Sequence, residues 1–135
     1  MKKQNIHEDK KKLRMTKSRV AILELFNTFH LPLDAESIKK HLLTKHISTD
    51  LATIYRFLNV FIDEGVLRKI ELNEGKYRYE LSSLPHHHHL VCNTCGLIED
   101  IKINDAHITN SIATKTDFKI DHHHLEFFGT CKSCQ

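Results

Sequence analysis

The groups best able to do chemistry in this chain of 135 residues are its four cysteines and twelve histidines, and their spacing is uneven. The cysteines form two identical pairs, Cys92-x-x-Cys95 and Cys131-x-x-Cys134. Each pair fits a turn that directs two thiolates at one ion. Two such pairs complete a closed tetrahedron, the arrangement of a structural zinc site with no position left open for reaction. An ion held there would staple the last residues of the chain to the segment around Cys92, a useful restraint in a small domain. A thioredoxin-like redox pair and unliganded thiols are the other readings. No βαβ pattern surrounds either pair, which argues against the redox one.

The histidines are concentrated in "PHHHHLVC", residues 85–92, and in "DHHHLEFF", residues 121–128. If the first run is extended, alternate residues face opposite sides. His87 and His89 then point one way, and His86 and His88 the other. With the thiolates committed to one ion, these imidazoles can serve others on both faces of a single strand. Candidate partners are Glu80, Glu99, Asp100, His107, His122, His123 and His124. Imidazole with carboxylate suits Fe(II), Mn(II), Co(II), Ni(II) or Zn(II) without choosing among them. Two other readings stand beside this one. An exposed histidine run can bind metal adventitiously. A metalloenzyme using His87, His89 and Asp100 with an open coordination position is conceivable, although no His-Glu-x-x-His motif is present.

The elements that must position these groups divide in two. Residues 1–81 contain no cysteine and only His7, His30, His41 and His46; all four cysteines and the remaining histidines follow a break at "SSLP", residues 82–85. The expected domains are 1–81 and 82–135. In the first, apolar residues recur at helical spacing three times. One helix is capped by Thr16 and carries Val20, Ile22, Leu23, Leu25, Phe26 and Phe29. The second is capped by Asp34 and turns Ile38, Leu42 and Leu43 inward. The third is capped by Ser48 or Thr49, buries Leu51, Ile54, Leu58, Phe61 and Ile62, and stops at Gly65. "VLRKIELNEGKYRYEL" then alternates around a turn at residues 73–75, a hairpin. Three helices and a hairpin are the order of a winged helix-turn-helix, set against the plainer reading of a generic small α+β domain. Ala52, Thr53 and Arg56 on the outer face of the third helix suit approach to a duplex. So do the hairpin cations Arg68, Lys69, Lys76 and Arg78, and the basic N-terminus with Lys2, Lys3, Lys10, Lys11, Lys12, Arg14, Lys17 and Arg19. The second domain reads as strand, helix, strand, with Ile108, Ile112 and Ala113 inward and "FKIDHHHLEFFGTC" extended. A final edge strand rich in Leu, Phe and Ile suits a dimer surface. The fold class expected is α+β. The partners expected are double-stranded DNA and a second copy of the chain, with no small organic substrate. No apolar run approaches the ~20 residues of a membrane span and no secretory signal is evident, so a cytoplasmic protein is expected.

The stretches "LRMTKSR", "LATIYRFLNVFIDEGVL", "HHHHLVCNTCGLIED" and "HHHLEFFGTCKSC" together resemble the ferric uptake regulator superfamily of bacterial repressors, from about Arg14 to Cys134. The resemblance implies a winged-helix DNA-binding domain hinged to an α/β dimerisation domain. It implies a metal-dependent homodimeric repressor of metal-uptake or peroxide-stress genes. Tyr55 and Arg56 match operator-contacting positions, and Arg14 matches a basic residue that reaches a minor groove. The four cysteines match a structural zinc site. Glu80, His87, His89 and Asp100 match a regulatory metal site at the hinge. His86, His88 and His123 match a further site. The chain departs from the family pattern twice. Pro32 stands where a hinge histidine is usual, leaving His30 as the expected substitute, and His107 stands where the further site has a glutamate. No cysteine is spare for the hinge, as zinc sensors often require, and Glu80 replaces the aspartate usual in peroxide sensors. Fe(II) is therefore the first expectation for the regulatory ion, with Zn(II) or Mn(II) as alternatives. Metal would act by linkage, stabilising the conformation competent for DNA.

Overall fold

The computed structural model describes residues 14–135. Lys2, Lys3, Lys10, Lys11 and Lys12, expected near phosphates, lie outside the described residues. Three helices come first, α1 (Lys17–Thr28), α2 (Ala35–Thr44) and α3 (Leu51–Asp63). Each begins at a side chain that accepts an otherwise unpaired backbone N–H: Thr16 from Arg19, Asp34 from Ser37, and Asp50 from Thr53. Asp50 replaces the expected Ser48 or Thr49. A cap must immediately precede the first helical residue to reach the third N–H, and Leu51 is that residue. At the other end of α3, Gly65 turns with φ +72°. Its N–H and that of Val66 then return to the carbonyls of Ile62 and Phe61, which closes the helix.

The helices share one core of Ile22, Leu25, Phe26, Ile38, Leu42, Ile54, Leu58 and Phe61, all buried. Val20, Phe29 and Leu43, expected inward, stand exposed. The hairpin β1 (Leu67–Glu71) and β2 (Tyr77–Leu81) closes this core with Leu67 and Tyr79. Its register places Arg68 opposite Glu80. Asn73 and Gly75, both at positive φ, form its turn. A two-way backbone bridge between Leu33 and Tyr79 ties the hairpin to the start of α2. Three of the four hairpin cations are engaged within the protein rather than free for phosphate. Arg68 pairs with Glu80, Lys76 with Asp34 and Arg78 with Glu74. Lys69 sits over the Tyr77 ring.

The remaining chain forms β3 (His88–Cys92), β4 (Ile98–Ile101), α4 (Ala106–Lys115), β5 (Glu126–Gly129) and a 3-10 turn at Lys132–Cys134. The sheet order is β4-β3-β5. β3 pairs antiparallel to β4 and parallel to β5, so β5 needs a crossover, and α4 lies on it. Of the segment expected to be extended, only Glu126–Gly129 forms a strand, because its ladder runs from the His89 pairing to that of Cys92. α4 buries no residue. Ile112 and Ala113, expected inward, are exposed and Ile108 is half-buried, since among the described residues no element covers that side. A second small core of Leu72, Val91 and Ile98, with Ile70 against it, joins the hairpin to the sheet. Among the described residues no helix is long and apolar enough to cross a membrane.

Asp34 unites the cap of α2 with the hairpin. Burial alone would push its carboxyl up, but Lys76 at 2.5 Å and the Ser37 N–H at 2.7 Å outweigh burial and bring it to about 2. The folded value lies below the unfolded one, so this contribution is full above about pH 4 and disappears as pH falls toward 2. Asp34→Ala should cost about 1–2 kcal/mol at neutral pH. In urea melts the gap from the parent should close as pH falls through that window; a gap that persists at pH 2 would show that charge is not its source.

Candidate metal centres

The four cysteine thiols meet at one point. Cys92 ends β3, Cys95 lies in the turn closed by Gly96 at φ +74°, Cys131 caps the terminal 3-10 turn and Cys134 is its last residue. All four sulfurs lie within 4.8 Å of one another, and the Cys95 and Cys131 sulfurs are 3.7 Å apart. A tetrahedral zinc with bonds of ~2.3 Å separates its sulfurs by ~3.8 Å, so this donor set fits that ion. Backbone N–H groups of Cys131 and Cys95 lower the Cys92 thiol to about 6, whereas hydrogen bonding from the crowded neighbours Cys131 and Cys95 pushes Cys134 up to about 12. One thiolate forms readily here and further ones are opposed, an imbalance that a cation removes.

A second cluster joins the hairpin to β3. Glu80, in β2, is 2% exposed, and His87 and His89 are buried with it. Its Oε2 lies 3.2 Å from Nε2 of both histidines. His87 Nδ1–H donates to the Pro85 carbonyl at 2.7 Å. That bond leaves Nε2 as the ring nitrogen facing the carboxylate oxygen. Imidazole nitrogens and a carboxylate oxygen converging in this way are the donor set of an imidazole–carboxylate metal site. Asp100 adds oxygens 3.9 Å from His87 Nε2 and 3.6 Å from His89 Nε2. The other oxygen of Glu80 accepts from Arg68, through Nε at 2.6 Å and Nη2 at 2.5 Å. Burial would raise the Glu80 carboxyl, but His89 and Arg68 together hold it below the usual carboxylate range. His30 does not join this cluster. It stands exposed between α1 and α2, where Arg78 fixes the loop by donating to the Pro32 carbonyl at 3.3 Å.

On the opposite face, His86, His88 and His123 converge on a single oxygen, Asp105 Oδ2, at 3.1, 2.5 and 2.5 Å. These three bonds, His123 first, hold the Asp105 carboxyl far below its ordinary range. His107, expected as the fourth member, is exposed in the first turn of α4. Asp105, just before that helix, takes the place instead. Its position advertises an N-cap, yet its side chain makes no cap bond because it is turned to the histidines. Leu125 N–H donates to His88 Nδ1 at 3.2 Å, which puts the ring proton on Nε2, where it satisfies Asp105. A metal here would displace three bonds to one carboxylate oxygen, whereas the Glu80 cluster has a second carboxylate, Asp100, standing beside it. His122 and His124 are exposed and join neither cluster.

Thr53, Tyr55 and Arg56 lie on α3, with Tyr55 and Arg56 exposed and Thr53 half-buried. Arg14 and Lys17 are exposed at the start of α1, while Arg19 bonds the Arg14 carbonyl at 2.7 Å and stacks 4.8 Å from the Phe57 ring centroid.

Known proteins share this plan. The model of the "Ferric uptake regulator family" matches residues 10–128. A ferric uptake regulation protein of Cupriavidus metallidurans is 38% identical over 123 residues, 88% of this chain and 85% of that protein. A peroxide-responsive repressor of Staphylococcus saprophyticus is 32% identical over 124 residues, 91% of this chain and 83% of that protein. Among solved structures, a ferric uptake regulator from Francisella tularensis with iron superposes with a TM-score of 0.81 at 27% identity, covering 91% of this chain and 95% of that one.

The two histidine clusters should fill in order. With the cysteine zinc retained, Co(II) titrated against a chromophoric chelator should occupy the Glu80 cluster first, and Glu80→Ala should remove the tighter event. Asp105→Ala should remove only the weaker one. The reverse order would show that the bonds to Asp105 do not hold metal off and that Asp100 does not favour the Glu80 cluster.

Proposed function

The chain belongs to the ferric uptake regulator family, and on that premise we propose that it is a metal-responsive repressor whose switch is the Glu80–His87–His89 cluster, with Asp100 beside it. The observation that carries this reading is the position of Glu80. It is the penultimate residue of the hairpin that closes the helical core, and its partners are His89 on the next strand and His87 just before it. We divide the chain accordingly into a DNA-binding unit, residues 1–81, and a metal-binding dimerisation unit, residues 82–135. An ion at this cluster supplies a cross-link between the two units and so selects their relative setting. The cysteines hold a structural zinc. His86, His88, Asp105 and His123 form a second exchangeable cluster, with His107 outside it. Fe(II) is the regulatory ion favoured by an all-nitrogen-and-oxygen donor set and by the likeness to ferric uptake regulators.

Operator DNA is the partner. Tyr55, Arg56 and Thr53 on α3 read the major groove, while Arg14, Lys17 and Arg19 hold phosphates or reach the minor groove. Phe118, Phe127, Phe128 and Ile112 are exposed, and a second copy of the chain covering them accounts for so much bare apolar surface. The relatives are regulators, so catalysis at His87, His89 and Asp100 is not part of this reading. A peroxide-responsive variant of the same function is the second reading, supported by the staphylococcal relative. It predicts that peroxide releases DNA from iron-loaded protein but not from manganese-loaded protein.

Fluorescence anisotropy on DNA from upstream of its own gene and on an operator library, run anaerobically at fixed salt, tests the proposal. Fe(II) should tighten binding over chelator-treated protein by about tenfold or more. Glu80→Ala or His89→Ala should erase that gain and leave a folded dimer. Arg56→Ala should weaken binding with or without metal. Indifference to every divalent ion across the library would overturn the switch. Cys92→Ser should lose one zinc and melt lower; a variant that keeps both would overturn the four-cysteine assignment.

A further inference from the structure

One charged side chain touches the Glu80 cluster without belonging to its donors. Arg68 sits directly across the hairpin from Glu80, and its guanidinium clasps Oε1 through two nitrogens at 2.6 and 2.5 Å. Oε2 of the same carboxylate faces both histidines at 3.2 Å. A single buried carboxylate is divided between a fixed cation and two imidazoles. The guanidinium also borders a cleft lined by Glu71, His124 and Glu126.

We infer that Arg68 is the resident counter-ion of this cluster, and that its charge sets the free metal concentration at which the cluster fills. The inference rests on the metal site proposed above and concerns how that site is tuned. A divalent ion arriving at Oε2 meets a positive charge already fixed on Oε1, and like charges a few ångströms apart in a low-dielectric setting repel strongly. The two-nitrogen clasp also denies the ion a bidentate hold on Glu80. The same contact neutralises a carboxylate that would otherwise be buried at a cost. Arg68 therefore favours the metal-free protein and disfavours the metal-bound one, which shifts filling to higher free metal. If Arg68 were only a structural prop for Glu80, removing it would have the opposite sign: a loosened carboxylate would bind metal less well.

The test uses full-length, zinc-loaded protein carrying Asp105→Ala, which leaves one exchangeable cluster, titrated with Co(II) against a chromophoric chelator. Arg68→Gln, which removes the charge and keeps a donor, should bind Co(II) about tenfold more tightly or better. Arg68→Lys, which keeps the charge, should stay close to the parent. Zinc content and thermal melting report folding, and Arg68→Met repeats the measurement if the glutamine variant does not fold. Unchanged or weaker binding in a folded neutral variant overturns the inference and leaves the metal site standing, as does a lysine variant that binds as tightly as the neutral one. A parent protein with no Co(II) uptake sensitive to His89→Ala overturns the site and the inference together.

Discussion

A carboxylate removed from water must be neutralised, and the burial of Glu80 imposes that demand where the two halves of the chain meet. Arg68 answers it from the neighbouring strand of the hairpin, and His87 and His89 answer it from beyond the break in composition. An apolar link between hairpin and sheet is the small cluster of Leu72, Val91 and Ile98 with Ile70. Beside so small a cluster, the charged and polar contacts of Glu80 carry much of the join between the two halves.

The second organising constraint is the pleat of β3. His88 and His89 in β3, with His86 and His87 just before it, fall alternately on two faces, and the Nδ1 of His87 donates where that of His88 accepts. On one, a proton donated to Pro85 turns Nε2 of His87 toward Glu80. On the other, a proton received from Leu125 commits Nε2 of His88 to Asp105. Adjacent residues of the same type are thereby prepared for different work by a carbonyl and an amide outside the ligand set.

Much of this was legible in the sequence, because it is periodic or local. The paired cysteine spacings, the alternation of His86 to His89, the caps Thr16 and Asp34 and the turn at residues 73–75 each follow from short-range geometry. The rest depended on where loops travel. Ser48, Thr49 and Asp50 are all good capping residues, and only the start of α3 selects among them. Asp105 was hidden by a helix-cap position it does not use, and the path between β4 and α4 brings it rather than His107 to the histidines. His30 stays out because Arg78 anchors the Pro32 loop elsewhere. The apolar side of α4 is bare among the described residues, and its periodicity misled because an apolar pattern does not say which chain provides the cover.

The bridge between Leu33 and Tyr79 has a mechanical meaning. It welds the hairpin to the head of α2 immediately beside Glu80, while α2 packs against α3. The carboxylate is thus bolted to the helical core that also carries the exposed Tyr55 and Arg56. A rigid body moves as one piece, so a shift at the carboxylate reaches every side chain on it. In the switch proposed above, such a shift in each of two chains would reset the spacing at which their α3 helices meet successive turns of a duplex.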